Sequence, residues 1–141
     1  MGDSVSHEAS PSDANLDAPR WEIAFYEDIL RRDPNYVEVL MQLGNLYTGR
    51  KQYDKGLRVD ERLATLKKDD PIVHYNLACS YALLKQVDPA FRALSKAVGL
   101  GYRDVEHMQR DEDLDGIRSD RRYTDLVARM QGGRRRSPHR P

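Results

Sequence analysis

The sequence predicts an all-α protein, a short α-α superhelix of antiparallel helix pairs closed by an atypical C-terminal capping helix. Its pattern repeats after thirty-four residues, and its apolar residues recur at intervals of three and four. Asp, Pro and Gly punctuate the stretches between those runs, where helices begin and end.

The helical body is expected over residues 20–131. Residues 1–19 form an acidic leader with Asp3, Glu8, Asp13 and Asp17, and residues 132–141 form a basic tail with Arg134, Arg135, Arg136 and Arg140. Neither end carries the large apolar side chains that would offset an ordering cost of about 1–2 kcal/mol per residue, so both are expected to be disordered.

Within the body, Val39, Leu40, Leu43, Leu46 and Tyr47 mark one buried helical face, and Gly49 to Gln52 reads as a turn. Tyr53, Leu57, Leu63, Ala64 and Leu66 mark the helix that returns. Asp70-Pro71 opens the next pair, with a capping carboxylate before a proline whose missing N–H costs nothing in the first turn. Val73, Leu77, Ala78, Tyr81 and Leu84 line its first helix, and Ala90, Phe91, Leu94, Ala97 and Val98 its second. Asp88-Pro89 is expected to repeat the capping device, and Gly99 with Gly101 to end that helix.

The internal matches are residue by residue. Leu40 falls on His74, Leu43 on Leu77, Gly44 on Ala78 and Tyr47 on Tyr81; Gly56 then falls on Ala90, Asp60 on Leu94 and Leu63 on Ala97. Carried backward, the offset places Tyr26 in phase with Asp60, and Ile29 with Leu63. WEIAFYEDILRRDP therefore reads as a second helix without its first, serving as an N-terminal cap. Carried forward it fails, because Asp111 falls on Leu77 and Asp115 on Tyr81. Ser119 is expected to cap a last helix whose Tyr123, Leu126, Val127 and Met130 close the apolar end of the stack.

The segments NYVEVLMQLGNLYTGRKQYDKGLRV and IVHYNLACSYALLKQVDPAFRALSKAV resemble successive tetratricopeptide repeats. Three positions depart from that family's pattern: Asp60 stands for an aromatic, Gly56 for Ala, and Pro71 comes three residues late. The resemblance implies a non-enzymatic scaffold or adaptor whose first helices line a concave groove for a protein or peptide. The expected groove side chains are Glu38, Met41, Gln42, Asn45 and Thr48 on one repeat, and Ile72, Tyr75, Asn76 and Cys79 on the next, forming one wall. Asn45 and Asn76 match asparagines that bond the peptide backbone in relatives gripping acidic chaperone tails. Met41 stands where those relatives carry a lysine, which implies mixed apolar and amide contacts instead of a carboxylate clamp.

Other chemistries find less support. Net charge is zero, which argues against the body as a nucleic-acid or membrane-surface binder and leaves only the arginine tail for an anionic partner. Self-association through an apolar edge beside Trp21 and Phe25 is the alternative to a foreign partner. Cys79 is the single cysteine, no secretory signal or membrane-length apolar run is visible, and a cytoplasmic, reducing location is expected. Asp111, Asp113, Asp115 and Gly116 copy the start of a calcium loop, but Arg122 stands where the closing Glu belongs, so a capping turn is expected. His74 and Cys79 are poorly spaced as metal ligands, no cofactor is implied, and no nucleophile sits in a recognisable catalytic motif.

Overall fold

A computed structural model describes residues 20–135 of the chain; the acidic leader and residues 136–141 of the basic tail lie outside the described residues. Helices α1 Arg20–Arg32, α2 Val37–Gly49, α3 Tyr53–Leu66, α4 Pro71–Leu83, α5 Val87–Gly99 and α6 Val105–Arg110 are followed by a 3-10 helix, Glu112–Ile117, and α7 Arg121–Arg135. The all-α fold of antiparallel helix pairs is the one the apolar spacing predicts. Two compact units divide between Leu66 and Lys67.

In the first unit α2 pairs with α3, and α1 lies on α2. The α2 face is the expected one: Val39, Leu40, Leu43, Leu46 and Tyr47 are all buried. On α3 the buried set is Gly56, Val59 and Leu63, whereas Tyr53, Leu57, Ala64 and Leu66 are only half-buried. The face turned to α2 is thus narrower than the apolar pattern implied, and it centres on Val59. Close approach explains the glycines. A Cβ on Gly44 would lie 3.2 Å from Val59 Cγ1, and one on Gly56 would lie 2.9 Å from Thr48 Oγ1. The Tyr47 hydroxyl donates to Glu27, tying α1 to the pair.

The turns reproduce the repeat in backbone geometry. After α2, Gln52 N–H donates to Tyr47 C=O at 2.8 Å while Lys51 sits at φ 64°. After α4, Gln86 N–H donates to Tyr81 C=O at 2.9 Å while Lys85 sits at φ 62°. Both reversals use a left-handed residue at the helix end, a position that ordinarily selects glycine. After α5 that residue is Gly101, φ 117°, with Tyr102 N–H on Ala97 C=O at 2.9 Å.

The second unit pairs α4 with α5, lays the 3-10 helix on α4 and α7 on α5. Asp70 caps α4 as expected, accepting from Ile72 N–H at 2.9 Å and Val73 N–H at 3.4 Å. The α5 core, Ala90, Phe91, Leu94, Ala97 and Val98, is buried throughout. Asp88 does not repeat the cap. Helix α5 begins at Val87, one residue before it, so the Asp88 carboxylate points outward and accepts from Arg122 Nη1 at 2.8 Å.

Ser119 is not the cap of the last helix either. Asp120, one residue nearer its start, accepts from Arg122 N–H at 2.9 Å. Tyr123, Leu126 and Met130 of α7 are buried, as the expected lid requires, with Val127 half-buried. The helix runs on to Arg135, past the boundary drawn at Gln131. Arg118 anchors this end, its Nη2 donating to Asp111 C=O at 2.6 Å and its Nη1 to the Tyr123 hydroxyl at 2.9 Å.

The Gly56 departure from the repeat pattern has a partner. Thirty-four residues on, Ala82 replaces Thr48 and Ala90 replaces Gly56, so the bulk moves from one helix to the other. Gly56→Ala alone should lose, through its contact with the Thr48 hydroxyl, the gain of about 1 kcal/mol that alanine normally brings inside a helix. In a Thr48→Ala background the gain should return, giving a coupling of at least about 0.5 kcal/mol in urea melts. Strict additivity would show that Thr48 does not set the residue at position 56.

Candidate functional site

The residues expected to face a partner divide by exposure. On α2, Glu38, Met41, Gln42 and Asn45 are exposed, and Thr48 is half-buried beside Gly56. Met41 exposes 43% of its surface, a large apolar side chain flanked by amide and carboxylate groups. On α4, Ile72 and Asn76 are exposed, Ile72 by 50%. Tyr75 and Cys79 are not: 3% and 6% of their surfaces remain accessible, because residues 111–113, at the start of the 3-10 helix, cover that side of α4. An exposed stripe at these two positions is therefore corrected to a buried one.

What Tyr75 and Cys79 meet there is a polar cluster. The Tyr75 hydroxyl donates to Asp111 Oδ2 at 2.6 Å, and the Cys79 thiol approaches the same oxygen at 3.7 Å. His107 Nε2 lies 3.4 Å from it on the exposed side. Asp111 Oδ1 accepts from Asp113 N–H at 3.0 Å, which starts the 3-10 helix. The ring of Tyr75 stacks on Tyr102, with centroids 4.5 Å apart and planes within 10°. Among the described residues, Cys79, Asp111 and Asp113 bring their ligand-type atoms within 4.8 Å of one another.

Burial dominates the electrostatics of this cluster. It pushes the Asp113 carboxyl up to about 6, with Asp111, Glu112 and Asp115 adding to the effect. It also raises the Cys79 thiol well above its ordinary range, with Asp111 and Asp113 repelling a thiolate. The Tyr75 phenol is raised by burial, then by Cys79 and Asp111, so it stays protonated and remains a donor. Tyr102 is pushed up to about 12, chiefly by burial.

Sequence reasoning reached Asp111, Asp113 and Asp115 through their spacing, but as a turn and not as the cover of α4. The sequence signal for that cover was Leu114 and Ile117, three apart amid acidic residues and both fully buried. His74, weighed with Cys79 as a ligand pair, turns its Nε2 to Lys68 C=O at 2.8 Å. Arg122, where a calcium loop needs its Glu, pairs with Asp88 at 2.8 Å and Asp120 at 3.0 Å. No helix among the described residues is long and apolar enough to cross a membrane.

The described chain is thus an all-helical protein of antiparallel pairs, with helix faces suited to contact and without evident catalytic machinery. No protein-family model matches it. It is similar to a chloroplastic protein of Arabidopsis thaliana, with 34% identity over 56 residues, or 40% of this chain and 17% of that protein. The chain therefore matches a small part of its curated relative's length.

Asp111 should be the keystone of the cluster. Asp111→Ala leaves the buried Tyr75 hydroxyl without an acceptor, which should cost about 1–3 kcal/mol in urea melts. Adding Tyr75→Phe removes the orphaned hydroxyl and keeps the stacked ring, so it should recover part of that loss. A double variant as unstable as the sum of its parts would show that the hydroxyl is not what Asp111 satisfies.

Proposed function

We propose that the chain is a tetratricopeptide-type helical-repeat module that holds a protein or peptide partner and performs no chemistry of its own. The observation that carries this reading is the repeated turn: Lys51 and Lys85, thirty-four residues apart, share a left-handed conformation and the same flanking backbone hydrogen bonds. Such repeats make amphipathic pairs whose first helices are free on one side, and here that side carries mixed chemistry. In the first unit Glu38, Met41, Gln42 and Asn45 present one thioether, two amides and a carboxylate; in the second, Ile72 and Asn76 present an aliphatic and an amide. This suits an extended or helical peptide bound through apolar and amide contacts better than an acidic tail bound by cations. Tyr75 and Cys79 take no direct part in this reading; they hold α4 in place behind its exposed residues.

The relative's name places that protein in the chloroplast and states no activity. A cytoplasmic location for this chain rests on its lone, buried cysteine, which fits a reducing compartment.

The test is capture of partners from the native cell extract by the full chain, beside Asn45→Ala and Asn76→Ala variants whose helicity matches by circular dichroism. Loss of a specific partner in the double variant is expected. A partner retained equally by all these chains would remove the two asparagines from the site.

Self-assembly is the second reading, favoured by Trp21 and Phe25 of α1, which expose 64% and 52% of their surfaces. Light scattering at tens of micromolar separates the two. A monomer is expected of an adaptor, and a dimer whose mass does not change with concentration would favour a homo-oligomer.

A further inference from the structure

Two carboxylates meet α4 at the start of the 3-10 helix, and the structure serves them unequally. The Asp111 side chain, 15% exposed, accepts from the Tyr75 hydroxyl at 2.6 Å, the Cys79 thiol at 3.7 Å and Asp113 N–H at 3.0 Å. Those donors stabilise its negative charge. Asp113 is also half-buried, and one of its carboxylate oxygens lies within 4.8 Å of the Asp111 carboxylate and the Cys79 sulfur. Its carboxylate accepts no hydrogen bond and joins no ion pair among the described residues.

The surroundings do little to offset this second charge. Asp111, Glu112 and Asp115 of its own segment all repel it. From α4 come the Cys79 thiol, which burial keeps protonated, and the Tyr75 hydroxyl, already given to Asp111. Tyr102, before α6, stacks its ring on Tyr75. His107 of α6 eases the charge from a distance, but its contact is with Asp111. Arg118 is engaged by the Asp111 carbonyl, the Asp115 carboxylate and the Tyr123 hydroxyl of α7. A carboxyl in this position favours its neutral form, and burial with the acidic neighbours pushes Asp113 up to about 6.

We infer that the 3-10 segment Glu112–Ile117 is an acid-tightened cover of α4, held more firmly when Asp113 takes up one proton and more loosely when it releases it. Leu114 and Ile117, fully buried, keep the segment down in both forms, so the proton adjusts how often it lifts. When it lifts, Asp113 meets water and returns to the range of an ordinary carboxyl, about 4. The closed form therefore binds more protons between about pH 4 and pH 6, and closure strengthens as pH falls through that window. Lifting exposes Tyr75 and Cys79 beside Ile72 and Asn76, so the proton also sets how much of α4 is open to contact. The device follows from the packing of the cover and does not rest on the partner-holding reading.

Amide hydrogen exchange of the full chain tests this, read at Leu114 and Arg118, whose N–H groups bond within the segment to Asp111 and Asp115 carbonyls. After correction for intrinsic rates, their protection should rise about three- to tenfold from pH 7.5 to pH 5, the lower figure allowing for solvent screening of a half-buried group. Amides of α2 and α3 should not follow. Asp113→Asn, neutral at every pH, should show the acid-level protection at pH 7.5 and lose the dependence. His107→Gln should keep it, which separates the carboxyl from the imidazole beside Asp111. The Asp113 carboxyl carbon, followed by NMR in the unaltered chain, should titrate near pH 6, a measurement that stands even if a variant fails to fold. Protection flat with pH, an equal rise in α2 and α3, a dependence that survives Asp113→Asn or vanishes in His107→Gln, or an Asp113 midpoint near pH 4 would each overturn the inference.

Discussion

Close approach of paired helices is the constraint on which each unit depends. Two helices whose facing residues are small come near enough for the remaining side chains to interlock, and the separation then sets where every other group falls. In the first unit Gly44 admits Val59, and Gly56 admits Thr48. In the second unit Ala78 and Ala90 stand at the glycine positions, and Ala93 and Ala82 at those of their larger partners. Small faces large in one pair and small faces small in the other, so the bulk at each contact is redistributed between its two helices. A repeat is preserved in this way through a property of pairs, which explains why single positions depart from the pattern without loss of the fold.

The reversal between the helices obeys a related rule. A left-handed residue lets the chain turn within two positions and lets the amide that follows reach back to the tyrosine carbonyl. Lys51 and Lys85 adopt that conformation despite their side chains, at a cost of about 1–2 kcal/mol each. Packing of the helices on either side offsets it. Where the pattern ends after α5 the same conformation recurs at a glycine, Gly101, and the chain passes to α6 and the 3-10 helix.

That segment changes the character of the second unit. Leu114 and Ile117, completely buried, bring the acidic residues between α4 and solvent, so that carboxylates meet a tyrosine and a thiol away from water. Low dielectric surroundings strengthen these hydrogen bonds and equally penalise any group left without a partner. The polar cluster is therefore a product of capping the apolar helix face with a segment that is itself rich in Asp. The two sides of α4 therefore differ in chemistry, since Ile72 and Asn76 are exposed while Tyr75 and Cys79 are covered.

Much of the fold was legible in the residue spacing. Helix pairs, the turn at Gly49 to Gln52, the Asp70 cap and the α5 core follow from local periodicity and capping chemistry, which depend on residues a few positions apart. The caps assigned to Asp88 and Ser119 failed because a one-residue shift in the start of a helix moves a capping side chain out of reach, and periodicity does not locate a start that finely. The exposed side of α2 was also legible, since a polar residue at a three-and-four interval beside an apolar face has nowhere else to point. Tyr75 and Cys79 were not, because whether they face solvent depends on a segment more than thirty residues away, itself outside the repeat. The sequence alone determined the helices, their pairing and the exposed side of α2; only the tertiary structure decided which side of α4 is covered, because burial is settled by distant partners that no local period encodes.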